Sequence, residues 1–172
     1  MDILSLFAED CKADIVCVSE HWLRIEELDA YAVLGPLNIA SSYCRKIKKG
    51  GGVAIYAKPS VSYQYVDLSH FCVELDLEVS AIEIIGSSYL IISLYRSPNG
   101  DEKHFLVLLE NLFSFICSKF KSIIVCGDFN IHFEKKTTDN CLLSQFTYMI
   151  KGYGLFITNS EVTRNDSCLD IF

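Results

Sequence analysis

The spacing of apolar and polar positions divides the chain into short segments of alternating type. Ile3, Leu4, Phe7, Ala8 and Cys11 recur at helical spacing and predict an amphipathic helix at the start. Asp14-Ile15-Val16-Cys17-Val18 reads as a short buried strand, with Ser19-Glu20-His21-Trp22-Leu23 at its carboxyl end. Residues 24–49 show weak periodicity and contain Gly35 and Pro36, so a loop with at most one helical turn is expected. Gly50-Gly51-Gly52 permits a tight turn or close backbone approach before a strand at 53–57. These glycines neither follow a strand nor open a helix, so a P-loop or dinucleotide-binding reading fails.

Residues 61–66 alternate weakly and predict a strand. Strands at 79–85 and 89–95 flank Gly86-Ser87-Ser88, a hairpin turn signal. Arg96-Ser97-Pro98-Asn99-Gly100 then turns the chain, and Asp101 can cap a helix carrying Phe105, Leu108, Leu109, Leu112, Phe115, Ile116 and Phe120 on its apolar face. Ile123-Ile124-Val125-Cys126 predicts a strand buried on both faces. Leu142, Leu143, Phe146, Met149 and Ile150 mark one more helix, stopped near Gly152 and Gly154. A short strand at 155–157, a loop at 163–166 and a strand beginning at 167 complete the pattern. This order, αβ, then β hairpins, then αβ twice, predicts a single α+β layered domain with parallel and antiparallel pairs.

Composition narrows the class. The 172 residues are 51% hydrophobic and 22% charged, enough for a real core and unlike a disordered chain. A net charge of −7 argues against wrapping nucleic acid by bulk electrostatics. The one dense basic run, Arg45-Lys46-Ile47-Lys48-Lys49, reads as a solvated loop. None of the eight cysteines forms a C-x-x-C pair, so zinc spacing is absent and free thiols in a reducing compartment are expected. Residues 1–10 lack the pattern of a signal peptide, and no apolar run approaches the ~18 residues of a membrane span. The expected location is intracellular, nuclear or cytoplasmic, not secreted, with no membrane partner.

Candidate chemistry gathers at strand ends. In Gly127-Asp128-Phe129-Asn130, a carboxylate and an amide follow a buried strand one residue apart. Such a pair can take a proton from water or hold a metal, and donate to an oxyanion. The bland reading is an Asx turn, in which the side chain bonds its own backbone. Glu20 is a further candidate acid, or else a solvated turn residue. Tyr95 and Arg96 also sit at a strand end, as polar site residues do in many α/β proteins.

Read together, Ser19-Glu20-His21-Trp22-Leu23, Gly51-Gly52-Val53-Ala54-Ile55-Tyr56, Tyr95-Arg96-Ser97-Pro98, Gly127-Asp128-Phe129-Asn130 and Ser167-Cys168-Leu169-Asp170 resemble, in order, the motifs of the endonuclease/exonuclease/phosphatase superfamily. They look most like the endonuclease domains of non-LTR retrotransposons. The resemblance implies a four-layer α/β/β/α sandwich with two mixed sheets, and hydrolysis of phosphodiesters with Mg²⁺ or Mn²⁺. It implies Glu20 as the metal-binding glutamate, Asp128 as the acid that orients or deprotonates the attacking water, and Asn130 beside the scissile phosphate. Tyr95 would hydrogen-bond a phosphate oxygen, Thr163 and Arg96 would contact substrate, and Asp170 would hold a later catalytic histidine. The family's opening strand with its asparagine and its closing Ser-Asp-His segment have no counterpart in these residues. Their loss would leave open sheet edges and favour self-association. His132 stands beside the candidate site, but its position in the order does not fit the family's histidine.

Three functions are thus expected to compete. The first is a metal-dependent DNA endonuclease domain. The second is a non-catalytic remnant or interaction domain of the same fold. The third is a phosphatase acting on small phosphates or lipid head groups.

Overall fold

In a computed structural model of the chain, residues 2–131, 141–158 and 170–171 are described. Helix α1 (Asp2–Asp10) leads into β1 (Ile15–Ser19), as the apolar spacing predicts, but of the expected apolar face only Ala8 is buried, and Ile3, Leu4, Phe7 and Cys11 are exposed. The next segment departs from expectation. It holds a 3-10 helix at Ile25–Tyr31 and two strands, β2 (Val33–Leu34) and β3 (Leu37–Tyr43). A bulge between Ile39 and Ser41 shifts the register of β3. The extra residue interrupts the two-residue alternation that marks a half-buried strand. Strand β4 (Val53–Ala57) is buried along its whole length: Ala54 and Tyr56 pack on the α1 side, Ile55 packs against the other sheet, and β1 and β3 pair with its two edges.

The second half follows the sequence pattern more closely. Strands β5 (Tyr63–Val66), β6 (Glu78–Ile84) and β7 (Tyr89–Tyr95) form antiparallel pairs. Helix α2 (Glu102–Lys119) is capped by Asp101, whose carboxylate accepts from the His104 amide at 2.8 Å. The chain returns in β8 (Ser122–Asp128), parallel to β7, and then in α3 (Cys141–Gly152). Strand β9 (Asp170–Ile171) pairs with the end of β8. Residues 155–158 form no strand, and Phe156 is 79% exposed. Ile124 is 39% exposed, so β8 is not buried on both faces. Its Cα partner is Ile91, which packs between the sheets.

Among the described residues the strands form two sheets, ordered β1-β4-β3-β2 and β5-β6-β7-β8-β9. Only the β7–β8 pair is parallel. Three apolar clusters define the layers. Ala8 of α1 packs with Leu34, Leu37, Ala54 and Tyr56 on the outside of the first sheet. Ile55, Ile82 and Ile91 lie between the sheets. A much larger cluster joins β6, β7 and β8 to α2 and α3, including Phe105, Leu109, Leu112, Phe113, Ile116 and Phe146. The result is the α/β/β/α sandwich. The six described cysteines are free thiols. No described helix is long and apolar enough to cross a membrane.

Candidate active site

Strand direction brings the candidate residues to one rim. The carboxyl end of β1 lies beside the start of β4, because the two run antiparallel. The carboxyl ends of β7 and β8 lie together, because these two run parallel, and the start of β6 joins them. Hydrogen bonds between the sheets fix this alignment: Ser19 Oγ donates to the Leu94 carbonyl at 3.2 Å and Ser93 Oγ to the Val18 carbonyl at 3.4 Å.

Glu20 stands immediately after β1 with φ +60°, and Trp22 follows with φ +64°. The left-handed region is uncommon for non-glycine residues and costs of order 1–3 kcal/mol. Two backbone bonds offset that cost: the Glu20 amide donates to Gly52 O at 2.7 Å, and the Trp22 amide to Gly51 O at 2.9 Å. Between them, His21 Nε2 donates to Tyr43 O at 3.1 Å while its Nδ1 accepts from the Leu23 amide at 2.9 Å. One ring nitrogen donates and the other accepts, so the ring is neutral. Burial lowers its pKa to match.

The Glu20 carboxylate is close enough to the Tyr95 hydroxyl to act on its titration. Burial pushes the phenol above its ordinary range, and the hydrogen bond to Glu20 and that group's charge push it further. Ser97 and Arg45 act in the opposite direction. Tyr95 is therefore protonated and ready to donate. Its Cα pairs with that of Asp128, which places the aspartate on the neighbouring strand end.

The Asp128 turn combines both sequence readings. Asp128 is only 6% exposed, and its Oδ1 accepts from the Asn130 amide at 2.9 Å, closing the Asx turn. Asn130 has φ +49° and donates Nδ2 to Arg96 O at 2.6 Å, which leaves its second amide hydrogen free of that bond. Phe129, between them, is buried with its ring 5.5 Å from that of Phe146. Gly127 is required just before the turn: at φ +143°, a Cβ there would stand 1.8 Å from Leu94 O. Arg96 is 2% exposed, and its Nη1 donates to the carbonyls of Phe129 and Asn130 at 3.3 and 3.1 Å. Its charge faces the interior of the turn, where Asp128 and Glu102 are among its acidic neighbours. These bonds tie Arg96 to the backbone of the 128–130 turn. Asp170 is described through its backbone, which pairs with Asp128. Thr163 and His132 lie outside the described residues.

One buried pair escaped the sequence reading. Arg45, 6% exposed, leaves the basic run and enters the interior, so the solvated-loop expectation holds only for residues 46–49. Its Nε donates to Glu78 Oε1 at 2.6 Å, and Nη1 donates to Lys49 O at 3.2 Å. Glu78 Oε2 accepts from the Gly52 amide at 2.6 Å, and Oε1 also accepts from the Leu75 amide at 3.1 Å. Arg45 follows β3 and Glu78 begins β6, so the pair joins the two sheets beneath the rim. The guanidinium lies 5.7 Å from the Tyr95 ring centre. Gly51 makes room for it, since a Cβ would stand 2.2 Å from the guanidinium carbon. Two signals could have found this pair: an acid opening an apolar strand, and glycines a few residues past an arginine.

The rim thus presents oxygen donors from both sheets. Among the described residues no group of three or more His, Cys, Asp and Glu side chains is placed to hold a metal ion. Glu20 offers hard carboxylate oxygens, and Mg²⁺ often takes only one or two carboxylates while keeping its waters.

The chain is thus an α/β/β/α sandwich that gathers polar strand ends of both sheets at one rim. Residues 1–152 match the endonuclease/exonuclease/phosphatase family, and the chain belongs to it. Among solved structures it is similar to the endonuclease domain of TRAS1, a telomere-specific non-LTR retrotransposon. That match has a TM-score of 0.68 at 18% identity and covers 98% of this chain and 75% of that one. It is also similar to an AP endonuclease from Archaeoglobus fulgidus (TM-score 0.60, 18% identity, 87% and 64% covered). The human Nocturnin catalytic domain with bound sulfate anion is a third likeness (TM-score 0.55, 14% identity, 99% and 73% covered). At these identities the likenesses define the fold alone. The chain spans 64% to 75% of the lengths of these three structures. Among curated proteins none matches the chain.

Proposed function

We propose that this chain is a metal-dependent DNA endonuclease domain that hydrolyses a phosphodiester bond. The observation that supports the reading is the alignment of strand ends: bonds between the sheets set the end of β1, which leads into Glu20, beside the ends of β7 and β8, which carry Tyr95 and Asp128. Glu20 would hold the divalent cation, Mg²⁺ or Mn²⁺. When bound, the cation would neutralise charge developing on the phosphate oxygens, which an acidic chain would otherwise repel.

The chain's own groups do the rest. Asp128, fixed by the Asx turn and by Arg96, accepts the proton of the attacking water. The free Asn130 amide hydrogen orients that water or a phosphate oxygen. The Tyr95 hydroxyl, kept protonated, donates to a non-bridging oxygen. Asp170, in register beside Asp128, and Thr163 are proposed as further members of the site.

Nicking of supercoiled plasmid in the presence of Mg²⁺ tests the reading. Asp128→Ala is expected to lower the rate by a factor of about 10² or more, the usual effect of removing one such preorganised group. Equal rates for the two proteins would end it in favour of a non-catalytic domain.

A further inference from the structure

The chain contains a single tryptophan, and the fold displays it. Trp22 is 60% exposed although it stands two residues from Glu20. A bulky side chain at φ +64° is a costly way to end a strand. The cost is met locally by the bonds from Trp22 to Gly51 and from Leu23 to His21. The ring lies along Gly50, with Cε2, Cδ2 and Nε1 3.6–3.8 Å from where a Cβ would stand.

Gly50 closes a loop that presents Lys46, Lys48 and Lys49 to solvent. That loop is held in place. The Glu74 carboxylate accepts from the backbone amides of Lys46, Ile47 and Lys48 at 2.6, 2.9 and 2.7 Å. Arg45 ties its other end through Lys49 O. An exposed aromatic ring two residues from Glu20 therefore packs at the end of a tethered loop that carries three exposed lysines, in a chain of net charge −7. Bulk charge explains no part of this placement. An aromatic platform with adjacent cations is the pattern that holds unpaired nucleotides: bases stack on the ring and phosphates meet the lysines.

We propose that Trp22 and Lys46, Lys48 and Lys49 form a ledge that receives an unpaired base of the DNA strand beside the scissile phosphate. This rests on the endonuclease reading and adds the substrate feature it recognises: a single-stranded or flipped nucleotide.

The only tryptophan makes its own reporter. Titrating the full chain with oligo(dT) is expected to quench its emission, and an intact duplex of the same length is expected to quench it far less. By anisotropy of a labelled oligo(dT), Trp22→Ala should bind about tenfold more weakly, the worth of one stacked base, and Trp22→Phe should recover most of the loss. Replacing Lys46, Lys48 and Lys49 by Gln should lower the slope of log affinity against log salt by about 2. Unquenched emission with undiminished anisotropy would overturn the ledge, as would equal quenching by duplex. Plasmid nicking is measured in parallel. Nicking without quenching sinks the ledge alone, whereas quenching without nicking sinks the nuclease reading alone.

Discussion

The two outer faces of the sandwich are covered very differently. Helices α2 and α3 bury Phe105, Leu109, Leu112, Phe113, Ile116 and Phe146 against their sheet. Helix α1 buries Ala8 and leaves Ile3, Leu6 and Phe7 exposed at 86%, 59% and 60%. Tyr95, Asp128 and Asn130 belong to the thickly covered sheet, and Glu20 to the thinly covered one. Apolar packing alone therefore holds only one half of the site firmly. Polar links join the other half to it: the Arg45–Glu78 pair and the serine bonds between sheets.

The strongest way to break this contrast is to remove the buried cation. Arg45→Ala leaves Glu78 charged and unpaired in the interior, and a loss of about 3–5 kcal/mol is expected in urea unfolding. A loss below 1 kcal/mol would remove the pair from its role as the joint between sheets. Next come paired truncations on the two faces. Leu109→Ala should cost about 2–5 kcal/mol. Phe7→Ser should stay within about 0.5 kcal/mol. Equal costs would mean that α1 covers its sheet as firmly as α2 and α3 cover theirs.

A smaller effect sharpens the picture at the rim. His21 is neutral in the fold because burial lowers its pKa below the ordinary value of 6.5. The unfolded chain binds the proton first, so the contribution of His21 is present above about pH 6.5 and is lost as pH falls through its lower folded value. The melting temperature of the wild-type chain should fall more steeply on acidification than that of His21→Gln. Identical slopes would show that the ring titrates as freely in the fold as outside it.

Sequence reading found the helices and the central strands because their periodicity is uninterrupted. It lost β3 because the bulge between Ile39 and Ser41 breaks the alternation, and Ser41 and Ser42 dilute the apolar signal. Three apolar residues at 155–157 suggested a strand, but a strand needs a partner, and these residues form none. Glu20, Tyr95, Asp128 and Asn130 could be picked out as candidates because each stands at or just past a strand end. Arg45 was hidden by its company: four solvated neighbours, three of them lysines, follow it, and its partner Glu78 is 33 residues away. Arg96 was seen, but its direction was not, because facing the 128–130 turn is a property of packing that no local pattern encodes.

The proposed endonuclease function needs one divalent cation bound at the rim through Glu20. Titration of Mn²⁺ against the intact chain, followed by calorimetry, tests this most directly. One binding event is predicted for the wild-type chain and for Trp22→Ala, and its loss is predicted for Glu20→Gln. Undiminished Mn²⁺ affinity in Glu20→Gln would contradict the account.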